Sequence, residues 1–230
     1  FPEYVSARLP IPVSWGYSFV HWFHKYSGKV MVPTPSMVEE LKARKFINLV
    51  AWTRGVDTEL FNPARRIPEG AENDPFKGLA RPIFLNVGRV AVEKNIESFA
   101  ELDLPGSKVI VGAGPQLEEL KRNYPNVTFL GGRFGEDLAT VYASADVFVF
   151  PSLTDTFGLV VLEAMASGIP VAAFDATGPR DVIPGSGAGT ITPVGGDLRQ
   201  GALDCLKLDR KVCRSFAETY SWKACAEAFI

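Results

Sequence analysis

Residues Asp146 to Phe174 read DVFVFPSLTDTFGLVVLEAMASGIPVAAF. The opening DVFVFP and the closing PVAAF are apolar runs of strand length, and Leu159 to Ser167 between them has the length and pattern of a helix. A strand, a helix and a second strand, with both strands apolar on both faces, is the unit from which parallel sheets under helical cover are built.

The same alternation continues toward the amino end. IFLNV (Ile83 to Val87), KVIVG (Lys108 to Gly112) and VTFLG (Val127 to Gly131) read as strands, with helices near Ile96 to Leu102, Gln116 to Asn123 and Glu136 to Ala143. The fold class expected is α/β, a Rossmann-like doubly wound parallel sheet, in which ligands bind at the carboxyl ends of strands. After Pro193 the pattern is helical, and Ser221 is placed to cap the last helix.

Before Ile83 the pattern differs. Trp15 to Ser27 is aromatic-rich and helical, Val30 to Pro33 is a short strand, and Met37 to Lys45 is a helix, which together are too little for a domain. Residues 62–81, rich in Pro, Gly and charge, read as a linker. His21 and His24, at i and i+3 on the aromatic helix, read as packing or surface residues.

Composition narrows the classes. With 230 residues, 47% of them hydrophobic, the chain can fill a sizeable core. Its formal charge of -2 provides no global field for nucleic acid or anionic lipid. Cys205, Cys213 and Cys225 form no C-x-x-C pair and read as reduced packing residues of a cytoplasmic protein. No apolar run reaches the roughly 18 residues of a membrane span. The chain opens on Phe1, so the expectation is a fragment of a longer protein.

Four strand-end loops carry candidate chemistry. After DVFVFP, the turn from Ser152 through Asp155, Thr156, Phe157 and Gly158 enters the helix at Leu159, whose free N–H groups and dipole suit a phosphate. Asp155 and Glu163, eight residues apart, can accept hydrogen bonds from the paired hydroxyls of a sugar or ribose, or else simply complement the dipole. In GRVAVEKN (Gly88 to Asn95), Arg89 and Lys94 can meet a diphosphate, or can be solvated. GAGP, with Gly112 and Gly114, reads as a tight turn with close backbone approach rather than a dinucleotide fingerprint. Finally, Gly132, Arg133 and Phe134 in GGRF can receive a nucleobase, or form a plain turn.

The order GRVAVEKN, VGAGP, FLGG, PSLTDTFGLVVLEAMASGIPV and SWKACAEAF resembles the family 4 retaining glycosyltransferases of the GT-B fold. The form D-T-F-G-L-V-x-L-E resembles a mannosyltransferase-like subgroup. The resemblance implies that Arg89 and Lys94 hold the donor diphosphate, that the backbone of Phe157 to Leu159 holds the β-phosphate and sugar, and that Glu163 binds the ribose. Asp155 stands where the family's E-x7-E pattern usually has Glu, at the contact with the transferred sugar. The domains it implies are 1–61, a remnant of an N-terminal acceptor-side domain; 62–81, an interdomain linker; 82–215, the nucleotide-sugar domain; and 216–230, a helix packing back toward the N-terminal domain. FPEYV resembles the segment that follows the family's N-terminal histidine.

The expected activity is transfer of a sugar, mannose by preference, from a GDP- or UDP-linked donor to a glycan or lipid acceptor with retained configuration. Arg89, Lys94, Asp155 and Glu163 are the expected catalytic residues. Neither a metal nor another cofactor is expected. The expected location is cytoplasmic, at the inner face of the membrane if the missing domain associates with it. Rival readings are a nucleotide-sugar-binding fragment without activity of its own, a glycoside hydrolase using Asp155 and Glu163, and a Rossmann oxidoreductase. A hydrolase leaves Arg89 and Lys94 without work, and the incomplete glycine fingerprint disfavours the oxidoreductase.

Overall fold

The computed structural model describes residues 12–227. FPEYV therefore lies outside the described residues. The chain forms two compact units, one ending at Thr53 and the other beginning at Arg54.

In the first unit, α1 (Val13–His24) leads to β1 (Val30–Val32), α2 (Pro35–Ala43) and β2 (Leu49–Ala51), and the two strands pair in parallel. β2 was not evident in the sequence, because LVA is too short to show a period. Thr34 caps α2 by accepting from the Met37 amide at 3.3 Å, and Pro35 opens the helix where its missing N–H costs nothing. His21 meets the Lys45 carbonyl at 3.2 Å and the edge of the Phe46 ring, in the packing role expected of it.

The second unit is a six-stranded, wholly parallel sheet. In chain order its elements are β3 (Ile83–Val87), α3 (Ile96–Ala100), β4 (Ser107–Val111), α4 (Leu117–Asn123), β5 (Val127–Gly131), α5 (Gly135–Ser144) and β6 (Val147–Phe150). There follow α6 (Leu159–Ala166), β7 (Val171–Phe174), α7 (Pro179–Val182), β8 (Gly189–Thr192), α8 (Leu198–Cys205), α9 (Arg210–Glu218) and α10 (Trp222–Glu227). The strand order is β5-β4-β3-β6-β7-β8, which is the expected doubly wound class with one strand more than the sequence showed. β8 escaped notice because GTIT is an only partly buried edge strand flanked by glycines.

Alternate residues of one strand feed the two layers. Ile83, Leu85 and Val87 of β3 join one apolar cluster and Phe84 the other, while Phe148 and Phe150 of β6 oppose Val147 and Val149. Burial on both faces explains why these strands read as continuous apolar runs, each large side chain contributing roughly 1.5–3 kcal/mol.

Residues 62–81 pack onto this unit instead of spanning between units. Phe76 is buried, and Arg66 and Arg81 reach the carboxyl end of α5, where each binds Asp146 at 2.9 Å. Guanidiniums at a helix's last carbonyls oppose its negative end; Arg210 bonds the carbonyls of Ala143 and Ala145 in the same way. The carboxyl-terminal helix also belongs here. Ser221 accepts from the Ala224 amide as expected of a cap, Val56 and Ser221 form a parallel bridge, and a Cβ on Gly55 would sit 2.7 Å from Trp222 Cα.

The three cysteines are buried and unbridged, and burial pushes the Cys205 thiol up to about 11 and that of Cys213 to about 12. Among the described residues, no helix is long and apolar enough to cross a membrane.

Candidate functional site

β3 and β6 are neighbours at the centre of the sheet, and the chain winds outward from them in opposite directions. At such a switch point the two following loops part and leave a crevice beyond the carboxyl ends of the strands. A cavity of about 410 Å³ occupies this position.

Gly88, Arg89 and Lys94 line it from the loop after β3, and Asp155 to Leu159 line it from the turn after β6. The two loops are stitched together. Asn95 donates to the Pro151 carbonyl at 3.1 Å, Thr154 donates to the Glu93 carbonyl at 3.0 Å, and Lys94 Nζ binds both Asp155 oxygens. Asn95 holds a left-handed conformation at φ 52°, which asparagine tolerates better than most residues.

Gly158 stands at the amino end of α6 with φ 76° and ψ 65°, a conformation that only glycine adopts without strain. Leu159 and Val160, the first residues of α6, line the cavity, so the positive end of the helix meets it as the sequence suggested. Arg89 leans toward Glu93, 3.5 Å away, and remains half exposed.

Glu163 departs from expectation. It is not among the residues lining the cavity with Asp155, but sits one helical turn farther along α6, where Tyr142 of α5 donates to its Oε2 at 3.0 Å. Burial raises its carboxyl above the usual range, and the Tyr142 bond partly offsets this. Four residues past Leu159, α6 is entering the packed layer, and Glu163 lies part-buried at its margin.

Gly112 and Gly114 do not line the cavity either. A Cβ at Gly112 would lie 1.8 Å from the Gly88 carbonyl oxygen and one at Gly114 2.1 Å from that of Val90. These glycines let the β4 loop press against the β3 loop, the close approach expected of them. Gly132, Arg133 and Phe134 follow β5 at the sheet edge, outside the cavity. Arg133 pairs with Asp137 at 3.1 Å, and Phe134 presents a ring that is 82% exposed.

Ser152, which opens the turn after DVFVFP, also lines the cavity, as do Arg54 and Asn86, which were not foreseen. Asn86 was visible as the single polar residue in IFLNV, and its amide donates to the Val149 carbonyl at 2.9 Å, tying β3 to β6. Nothing in the sequence marks Arg54.

Residues 81–207 match the family described as "Glycosyl transferases group 1". The GDP-mannose-dependent alpha-mannosyltransferase of Mycobacterium tuberculosis is 35% identical over 200 residues, which cover 83% of this chain and 50% of that protein. The sulfoquinovosyl transferase SQD2 of Arabidopsis thaliana is 34% identical, with 97% of this chain and 47% of that protein covered. The chain thus spans about half the length of the curated relatives it matches. Among solved structures, Anabaena Alr3699/HepE in complex with UDP and glucose superposes with a TM-score of 0.73 at 16% identity, covering 93% of this chain and 65% of that one. A sheet of this topology, a crevice at its switch point and a family match across more than half of the residues lead to one assignment: the chain belongs to the group 1 glycosyl transferases.

Proposed function

We propose that this chain carries the nucleotide-sugar site of a retaining glycosyltransferase, and that the sugar moved to a glycan or lipid acceptor is mannose from GDP-mannose. The observation that carries this reading is the convergence of Arg89, Lys94 and the amino end of α6 on one cavity at the switch point. Two cations and a helix end suit the diphosphate of a donor. The preference for GDP-mannose is supported by the mycobacterial relative, whose name states that donor. A sulfoquinovosyl donor is the second reading, supported by the plant relative of similar identity.

In this reading the diphosphate lies between Arg89, Lys94 and the backbone of Phe157 to Leu159. As the bond to the sugar breaks, negative charge grows on the departing nucleotide, and these groups stabilise it without rearranging. They supply the positive charge for which other sites use a metal. Lys94 turns from Asp155 to the phosphates as the donor enters, freeing Asp155 for a sugar hydroxyl. Glu163 accepts the ribose hydroxyls, and Phe134 with Arg133 covers the base.

Thermal melts of the chain in millimolar GDP and UDP test this reading. A nucleotide that binds the folded state raises the melting temperature by mass action. No rise with either nucleotide would sink the donor-site assignment. A larger rise with GDP-mannose than with UDP-linked sugars supports the mannosyl reading, and the reverse removes it.

A further inference from the structure

Tyr142 is fully buried, its ring edge-on to Phe61 at 5.6 Å and tilted against Phe148 at 5.7 Å. A phenylalanine would fill the same space, so packing explains the ring but not the hydroxyl. That hydroxyl donates to Glu163 Oε2. Among the described residues, Glu163 Oε1 has no hydrogen-bond partner.

We propose that Tyr142 is a positioning residue for donor recognition, its hydroxyl fixing the Glu163 carboxylate so that Oε1 is presented to the vicinal hydroxyls of the donor's ribose. This rests on the proposed role of Glu163. A carboxylate is an acceptor only, whereas a protonated carboxyl spends one oxygen as a donor. Two ribose hydroxyls are therefore best received by the ionised form. Burial opposes ionisation, and the Tyr142 bond works against burial. The phenol itself stays protonated, since burial raises it well above its ordinary value.

Among the described residues, burial and the Tyr142 bond are the influences on the Glu163 carboxyl, and no other charged group takes this part. β6 and β7 carry no titratable side chain. On α5, Glu136 and Asp137 pair outward with Arg65 and Arg133. On α9, Arg210 bonds the carbonyls of Ala143 and Ala145, while Arg214 bonds those of Thr58, Phe61 and Ala166.

The test is calorimetric titration of the whole chain with GDP and UDP, and with their counterparts lacking both ribose hydroxyls, from mildly acidic to mildly alkaline pH. Tyr142→Phe, Glu163→Gln and the double variant are compared with the parent. Glu163→Gln should weaken the ribonucleotide about tenfold and leave the counterpart unchanged. Tyr142→Phe should lose roughly three- to tenfold at acidic pH and recover toward the parent as the medium becomes alkaline, because its carboxyl ionises later. The double variant should bind no more weakly than Glu163→Gln alone. If Glu163→Gln weakens binding while Tyr142→Phe matches the parent at every pH, or if the two losses add in full, the positioning role is overturned and the Glu163 reading stands. If Glu163→Gln changes nothing, the ribose reading falls and this proposal with it.

Discussion

Lys94 Nζ lies 2.6 Å from Asp155 Oδ1 and 2.8 Å from Oδ2, a two-pronged ion pair between residues 61 positions apart in the chain. Both side chains are mostly buried, at 28% and 20% exposure. The pair ties the β3 loop to the β6 loop across the crevice and gives Lys94 a partner that a diphosphate would have to displace.

Asp155→Asn is therefore expected to bind free GDP or UDP at least as tightly as the parent, since Lys94 no longer has a competing anion. The same variant should lose the preference for a nucleotide-sugar over the bare nucleotide. Lys94→Met should weaken both ligands by about tenfold or more, the worth of a hydrogen bond to a charged group. Calorimetry with paired ligands separates these outcomes, and equal losses in both variants would contradict them.

Glu163 offers a test of stability against pH. Its carboxyl is raised in the folded state by burial. The folded chain thus holds this proton to higher pH than the unfolded chain does. Its contribution is fully present below the ordinary value of 4.5 and is lost as pH rises through the folded value. Glu163→Gln removes that loss, so its melting temperature should exceed the parent's at neutral pH, with the gap shrinking on acidification. A constant gap across the range would contradict this account.

Asp146 has the opposite sign. Burial works to raise its carboxyl, but the Ile83 amide and the Arg66 and Arg81 guanidiniums outweigh burial and hold it below the ordinary value. This stabilisation is present above the unfolded value and is lost as pH falls through the folded one. Asp146→Ala removes a carboxylate shared by two guanidiniums, of which Arg81 keeps Glu69 and Asp74 nearby, and is expected to cost about 1–3 kcal/mol. Urea unfolding at neutral pH measures it, and the cost should diminish in acid.

Gly114→Ala cannot be accommodated in place, because its Cβ would lie 2.1 Å from the Val90 carbonyl oxygen and the obstacle is backbone. The β3 and β4 loops must separate, at a cost of about 1–3 kcal/mol. Gly70→Ala is a control: its Cβ would meet nothing within 4 Å, and the loss expected there is only the strain of φ 76°. Thermal melts of the two variants should differ by several degrees in the stated order.

How much of this was legible can be judged residue by residue. IFLNV was visible as a strand because Ile83, Leu85 and Val87 face one layer and Phe84 the other, leaving an unbroken apolar run. The phosphate-suited turn was visible because Gly158 and the helix behind it are contiguous. Pairings were not. Lys94 with Asp155, Tyr142 with Glu163 and Arg66 with Asp146 depend on which strands become neighbours, and nothing in the local pattern of either partner encodes the crossover from β5 back to β6. Residues 62–81 misled for a related reason: their Pro, Gly and charge content marks irregular backbone, and irregular backbone can still be packed, as Phe76 is.

The family match begins at residue 81, yet Arg54 forms part of the cavity wall. The segment that carries Arg54 is pinned where Val56 bridges Ser221 and where Gly55 admits Trp222. Anyone excising the sheet at the limits of the family match would remove both the wall and its fastening. The smallest self-sufficient piece of this unit should run from Arg54 through α10, and the carboxyl-terminal helix would act at a distance on what the pocket can hold.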